Sequence, residues 1–347
     1  MGKTHPFAFL REIDSEACKM VCMNTPFSSL TPDAILDSLQ SVGLSGNGRL
    51  LALNSYENRV YQVGMETGPP LVAKFYRRGR WSNAAILEEH AFVGSLFANE
   101  IPVVPALEIA GRTLHEFGDF RFAVFEKRGG RAPELDREDT LEWIGRFLGR
   151  IHAVGALDAY RARPSLKVVN FGEESRNFLL SKGFIPEDLI EAYKRVAELA
   201  LNGARRAFER AGDYSSIRLH GDCHAGNMLW TDDGPHFVDF DDSLMGPAVQ
   251  DLWLILSGDR PDMTRQLGKV LSGYEDFCDF DMRQLHLVEA LRTLRLIHYS
   301  AWLARRWDDP AFPAAFPWFN TQRYWQDRIL ELKEQISLME EAPLMHS

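Results

Sequence analysis

An α+β protein of two lobes is predicted by the sequence: a β-rich N-terminal lobe, then a mostly helical C-terminal lobe. Three observations predict it. The chain has 347 residues, beyond the ~250–300 at which a single hydrophobic core stops growing. Residues 48–127 read as a small sheet with one helix. After the Gly-containing "GGRAPE" (129–134) the apolar pattern takes a helical period, interrupted by one pair of strands. The organisation is therefore an N-terminal extension over 1–28, an N-lobe over 29–127 and a C-lobe over 128–347.

Each element has a local cause. "SLTPDAILDSLQSVGL" opens a helix with Thr31 as cap, Pro32 in the first turn and Asp33 at the positive end, and Gly43 stops it. "RLLALNSYENRVYQVGM" reads as strand, polar turn, strand. "PPLVAKFYR" is a third strand, rich in β-branched and aromatic residues. "SNAAILEEHAFVGSLFANE" is an amphipathic helix capped by Ser82 or Asn83, and "IPVVPALEIAGRTLHEFGDFRFAVFEKR" supplies two more strands around a Gly turn. Helices are predicted over 137–154, 176–182, 186–211, 247–256, 262–278, 283–306 and 321–341. Within them, "MLWTDDGPHFVDF" forms two short strands joined at Asp232-Asp233-Gly234.

Composition excludes several classes. Hydrophobic content is 45% and charged content 25%, ordinary for a globular chain. A net charge of -10 argues against binding nucleic acid through its phosphates. No apolar run approaches the ~20 residues of a membrane span. The N-terminal "MGKTHPFAFLREIDSEACKMVCM" is broken by charges and lacks a signal-peptide core, and Pro6 stands where a myristoylation site wants a small hydroxyl. A cytoplasmic protein without membrane or nucleic-acid partners is expected. Of the four cysteines, Cys18 and Cys22 are one helical turn apart with no second pair, so neither structural zinc nor a disulfide framework is expected.

The chemistry concentrates in "RLHGDCHAGNMLW" (218–230). His220 and His224 have the spacing of two zinc ligands on a helix, but Gly221 and Gly226 oppose a helix and no Glu follows His220. Cys223 beside His224 suggests a nucleophile, yet catalytic pairs form in space, and a small buried Cys is the commoner case. A third reading uses residues further on. Asn227 follows Asp222 by five positions, and Asp239 follows Asn227 by twelve across the predicted hairpin. A loop carboxylate, a loop amide and a strand-end carboxylate suit phosphoryl transfer from ATP. One Asp accepts the proton of the attacking hydroxyl, and the amide and second carboxylate hold Mg2+ against the phosphates.

This pattern, His-x-Asp-x4-Asn followed by Asp, resembles the catalytic and metal-binding loops of protein kinases. "HGDCHAGN" and "DFD" depart from the protein-kinase forms in the manner of the aminoglycoside phosphotransferase and choline kinase branch of the protein-kinase-like fold. The resemblance implies further residues. Lys74 in "LVAKFY" matches the strand lysine that holds the α- and β-phosphates. Glu89, or less readily Glu88, matches its helix partner. No GxGxxG loop exists, and the turn from Ser55 to Asn58 takes its place, its amides and the Ser55 hydroxyl capping phosphates. "FAVFEK" (122–127), which includes Glu126, matches the adenine-binding hinge. Each residue also has a plainer reading. A strand Lys and helix Glu residues are usually solvated. Asp242 caps a turn or ligates metal in place of Asp239, with Asp241 a further rival. Asp251 braces the catalytic loop in such proteins, and His220 orients it.

The stretches "LNSYENRVYQ", "KFYR", "ILEEH", "LHGDCHAGN", "GPAVQDLW" and "WLARRWDDPAFP" are similar to the bacterial stress response kinase A family, over about residues 30 to 325. That resemblance implies a cytoplasmic, monomeric Ser/Thr protein kinase of stress response and survival, acting on a protein substrate. It implies Asp222 as proton acceptor, Asn227 and Asp239 as Mg2+ ligands, Asp239 also as an active-site residue, and Ser55 in the ATP site. Eleven residues from Asp241 to Asp251 are too few for a phosphorylated activation loop. Choline, homoserine and aminoglycoside kinases share this short segment and are the enzymatic rivals. An acidic pocket would mark an aminoglycoside, and a cage built from Trp302, Trp307, Phe312, Phe316, Trp318 and Phe319 would mark choline. A non-catalytic ATP-binding module is the third alternative.

Overall fold

A computed structural model describes residues 26–232 and 234–344. Cys18, Cys22 and Asp233 lie outside the described residues. Thr31 caps helix α1 (Pro32–Gln40) by accepting from Ala34 N–H, and Gly43 (φ 83°) takes the left-handed conformation beyond its end. Strands β1 (Gly46–Leu53), β2 (Arg59–Met65), β3 (Leu71–Phe75), β4 (His115–Phe117) and β5 (Phe120–Glu126) form one antiparallel sheet in the order β1-β2-β3-β5-β4. Helix α2 (Asn83–Ala98) begins at Ser82, whose hydroxyl accepts from Ala85 N–H.

Alternation along β3 decides where Lys74 goes. Ala73 and Phe75 are fully buried with Ile35 and Leu39 of α1 and Phe122 and Val124 of β5. Lys74, paired with Ala123 across β5, is left on the opposite face, where Ala123 and Tyr76 pack against Ile86 of α2. The inner side of α2 serves the other lobe: Phe92, Val93 and Leu96 belong to the large C-lobe core with Leu148, Ile151 and Leu219. The two lobes therefore share a helix as well as a linker. That linker is pinned where Arg131 and Trp230 exchange backbone hydrogen bonds of 3.0 and 2.7 Å.

The C-lobe contains α3 (Glu138–Gly155), α4 (Glu174–Ser181), α5 (Ile190–Ala211), α6 (Val249–Trp253), α7 (Arg260–Tyr274), α8 (Val288–Arg305), α9 (Ala311–Ala315) and α10 (Gln322–Leu338). Between α5 and α6 come β6 (Ile217–Leu219), β7 (Met228–Thr231), β8 (Gly234–Phe237) and β9 (Leu244–Gly246), paired β6 with β9 and β7 with β8. Several boundaries differ from the sequence expectation. Asp259 caps α7 and Pro261 enters its first turn, so the helix starts two residues early. The stretches before α5 and α8 are 3-10 turns, Glu187–Leu189 and Met282–Leu287. The sequence reading missed β6, β9, α9 and a π-helical turn at Val168–Glu173, all too short to show a period.

Helices α3 and α7 approach closely because glycines line the contact. A Cβ on Gly145 would stand 2.0 Å from the Val270 carbonyl oxygen, and one on Gly149 2.5 Å from that of Tyr274. The approach carries the Tyr274 hydroxyl to within 2.9 Å of His152 Nδ1. Gly145→Ala gains about 1 kcal/mol of helix propensity. The backbone clash costs about 1–3 kcal/mol and cannot be relieved by a side-chain rotation. A net loss of up to about 2 kcal/mol is expected, read as a lower urea midpoint with an unchanged m-value.

Candidate active site

Two loops meet because their flanking strands are paired. The loop 220–227 joins β6 to β7, and the loop 238–243 joins β8 to β9. Leu219 pairs with Leu244 on one side and Met228 with Phe237 on the other. The loops must therefore bulge side by side, and Val238 N–H donates to Asn227 O at 3.0 Å between them. Gly221 (φ 89°) is required at the contact, since a Cβ there would stand 2.1 Å from Asp242 O.

Asp251, fully buried on α6, holds the first loop. Its two carboxylate oxygens accept from His220 N–H and Gly221 N–H, each at 2.8 Å. His152 Nε2 lies 3.1 Å from Oδ2 and links the carboxylate to Tyr274. His220 Nε2 donates to Val238 O at 2.9 Å, tying the loops together. Its Nδ1 accepts from Asp222 N–H at 3.3 Å, and His224 Nδ1 accepts from Gly226 N–H at 3.0 Å. These backbone bonds occupy both nitrogens of His220 and one of His224, which leaves no zinc pair. Cys223 is fully buried, and burial pushes its thiol well above the usual range, the opposite of an activated nucleophile.

Both oxygens of Asp222 are oriented. Arg295 Nη1 of α8 lies 2.8 Å from Oδ1, and His224 Nε2 lies 3.4 Å from Oδ2. Burial alone would raise this carboxyl; His224 and Arg295 outweigh it and hold it well below the usual carboxylate range. Asn227 Nδ2 donates to Asp222 O at 2.9 Å, which turns its Oδ1 away from that bond.

On the second loop, Asp239 takes a left-handed conformation (φ 62°, ψ 62°), uncommon for a residue with a side chain, and its carboxylate is half exposed. Lys74 Nζ donates to it at 2.8 Å and lies 3.5 Å from Asp241. Burial would lower the Lys74 ammonium, but these two carboxylates outweigh burial and raise it. The expected Lys74–Glu89 ion pair is absent. Glu89 is buried near Arg163 (3.8 Å) and His90 (4.0 Å), and burial raises it to about 7 against the pull of Lys74 and Arg163. Glu88 instead accepts from the Arg161, Ala162 and Arg163 amides, anchoring α2 to the C-lobe.

Besides Arg295, three more arginines were not foreseen. Arg163 donates to Ala85 O of α2 and to Asp241 O and Ser243 O of the second loop, at 2.7–2.8 Å. Arg80 pairs with Asp241, Asp242 and Glu57. Burial would raise Asp241; Arg80, Lys74 and Arg163 hold it well below the carboxylate range. Arg77 organises the turn after β1 by donating to the Tyr56 and Glu57 carbonyls. The Ser55, Tyr56 and Glu57 N–H groups donate to no group among the described residues, as an anion cap requires. Asn58 departs from its expected phosphate contact: it is buried and its amide oxygen accepts from Arg77 N–H at 3.1 Å. The Glu126 side chain is exposed and pairs with Arg128, so only its backbone, at the end of β5, is placed for adenine recognition.

The donor set fits a divalent cation that shares its shell with nucleotide phosphates. Asp239 and the Asn227 oxygen would supply hard oxygen ligands, and the buried Asp241 Oδ1 accepts no hydrogen bond, with Lys74 Nζ 3.5 Å away. Among the described residues no three His, Cys, Asp or Glu side chains form a protein-only cage, so a cation here would need oxygens from its nucleotide to complete the shell.

A profile described as the phosphotransferase enzyme family matches residues 49–288. The chain is 43% identical over 318 residues to the stress response kinase A of Escherichia coli strain K12, covering 92% of this chain and 96% of that one. With the same coverage it is 41% identical to the serine/threonine protein kinase RdoA of Salmonella typhimurium strain LT2. Among solved structures, the amicoumacin kinase hAmiN in complex with AMP-PNP and Ca2+ superposes with a TM-score of 0.70 at 19% identity, over 90% of this chain and 94% of that one. A microcompartment-associated aminopropanol kinase superposes with a TM-score of 0.67 at 17% identity, over 89% and 97%.

Glu89 makes stability depend on pH. Its folded value near 7 lies above the ordinary 4.5, so the folded state binds the extra proton and loses stability as pH rises from about 4.5 to 7. Glu89→Gln removes this dependence. The stability of the variant relative to wild type should rise by on the order of 2–3 kcal/mol between pH 4.5 and 7.5, measured by denaturant unfolding without nucleotide.

Proposed function

We propose, from the premise that this chain belongs to the phosphotransferase enzyme family and within it to the stress response kinase A family, that it transfers the γ-phosphoryl of ATP to Ser/Thr hydroxyls of protein. The observation that carries this reading is the contact of Lys74 with Asp239 at 2.8 Å, beside the loop that presents Asp222 and Asn227. Lys74 and the free amides of residues 55–57 bind and orient the phosphates, and the end of β5 reads the adenine edge. Asp239 and Asn227 hold Mg2+, which when bound neutralises phosphate charge. Asp222 accepts a hydrogen bond from the acceptor hydroxyl and takes its proton. A carboxylate held below its ordinary range suits a loose transition state, in which that proton moves late.

The acceptor side favours protein over the small cationic acceptors. The candidate choline cage is filled by the protein itself. Trp302, Phe312 and Phe316 pack on one another with ring centroids 5.1–5.9 Å apart. Arg306 already lies over Trp302 at 5.0 Å, and Arg77 over Phe312 at 5.4 Å. Trp307 and Phe319 pack with each other, and Phe319 packs on Trp325 in the core. Glu57 and Asp222 are each paired with arginine, which is poor terrain for an aminoglycoside polycation. No helix among the described residues is long and apolar enough to cross a membrane.

Incubation with γ-labelled ATP, Mg2+ and generic protein acceptors tests this reading. Label should enter protein with wild type and not with Asp222→Ala. ATP consumed only with choline, homoserine or an aminoglycoside would move the acceptor to a small molecule, and ATP bound but never consumed would indicate a binding module. Asp222→Asn should keep ATP affinity within about threefold and lower kcat by at least ~100-fold. Asn227→Ala and Asp239→Ala should each raise the Mg2+ concentration for half-maximal rate by roughly tenfold or more; an unchanged requirement in both would remove the ligand assignment. Cys223→Ser should retain kcat, measured in the same assay.

A further inference from the structure

Helix α8 carries two exposed arginines, Arg295 and Arg305, at i and i+10, with His298, Tyr299 and Trp302 partly buried in the stripe between them. Leu294, Ile297 and Ala301 on its other side are buried. One end of the stripe reaches the catalytic loop, where Arg295 Nη1 stands 2.8 Å from Asp222 Oδ1. That contact uses one nitrogen of the guanidinium fork. Among the described residues Arg295 makes no other ion pair or hydrogen bond, and its side chain is 44% exposed. At the other end, exposed Arg305 lies over the Phe178 ring of α4 at 4.9 Å and makes no ion pair among the described residues. Arg306 and Arg80 differ, being paired with Glu57 and with Asp241 and Asp242.

Between the two ends, His298 stacks on Phe171 with centroids 4.5 Å apart. Burial depresses its imidazole to about 3, helped by Arg305, Arg306, Arg80 and Arg295, so the middle of the stripe carries no charge between the two exposed arginines. Exposed charges at fixed spacing select partners by charge.

We infer that this stripe is the acceptor-docking surface and selects Ser/Thr segments flanked by carboxylates, with Arg295 binding an acid beside the hydroxyl and Arg305 a second acid further along. The inference rests on the protein-kinase reading above and adds the acceptor's chemical class. Ten residues of helix separate the two arginines by about 15 Å. An extended peptide covers that distance in about four to five residues. The acceptor therefore carries one Asp or Glu next to the Ser or Thr and another four or five positions away.

The test measures binding apart from transfer. The full chain, loaded with Mg2+ and a non-hydrolysable ATP analogue, is titrated into fluorescent decapeptides with one Ser flanked by Glu at those positions, or by Lys. Anisotropy should show the Glu peptide binding at least ~10-fold tighter at low salt, the difference shrinking as salt rises. Arg295→Ala and Arg305→Ala should each weaken the Glu peptide by ~5-fold or more. Arg305→Lys should retain most of the affinity, which separates lost charge from lost folding. Equal or tighter binding of the Lys peptide, no binding of either, or unchanged affinity in both alanine variants would overturn the inference. In a parallel incubation with γ-labelled ATP in place of the analogue, label transferred to both peptides without charge preference also overturns it and leaves the protein-kinase reading standing. Charge-selective binding without any transfer does the reverse.

Discussion

The Asp251 carboxylate is the contact on which the site depends. Burying a carboxylate costs several kcal/mol unless its oxygens are satisfied. Here both oxygens accept backbone N–H groups of consecutive residues, His220 and Gly221, and His152 backs them from the core. Each bond to a charged acceptor contributes about 1.5–3 kcal/mol, enough to offset much of that penalty. The result is a loop whose backbone path, and hence the direction of Asp222, is set by a group that need not touch any reactant. The second loop inherits this order through Gly221, which lies against Asp242, and through His220, which donates to Val238.

Charge balance is the second constraint. Asp222, Asp239, Asp241, Asp242 and Glu57 converge in a region that water only partly reaches, and in isolation they would repel one another. Lys74, Arg80, Arg163 and Arg295 arrive from β3, from the approach to α2, from the loop after α3 and from α8. No two of these cations share an element. The site is therefore charge-balanced only when both lobes and α8 are in place, so assembling the tertiary structure and assembling the site are one event. Glu89 is the exception: it is buried without direct contact to Lys74, which is why its carboxyl sits near neutrality.

On the side of the cleft away from the linker, the lobes are joined again. Glu57 of the turn after β1 accepts from the Trp302 indole at 2.7 Å, Arg77 reaches Asp309 at 2.7 Å, and Tyr56 packs on Phe316 at 4.8 Å. The aromatic residues of the last third thus work as an inter-lobe joint, with their faces already taken by arginines.

Features set by short-range forces were legible in one dimension. Thr31 and Ser82 cap the helices they precede, period-two alternation puts Lys74 opposite Ala73 and Phe75, and the spacing of Asp222, Asn227 and Asp239 marked out the two loops of the candidate site. Which charges meet was not legible there. Lys74 finds Asp239 across 165 positions of chain, Arg80 finds Asp241 across 161, and Arg163 finds Asp241 across 78. No pattern in "RRGRW" or "YRARP" distinguishes these arginines from solvated ones. The strands β6 and β9, at three residues each, show no period either, because their pairing is imposed by the elements around them. Propensity, capping and alternation act over a few residues and can be read in one dimension. Ion pairing in a buried cleft depends on which elements pack together, and that is settled only when the cores of both lobes have formed.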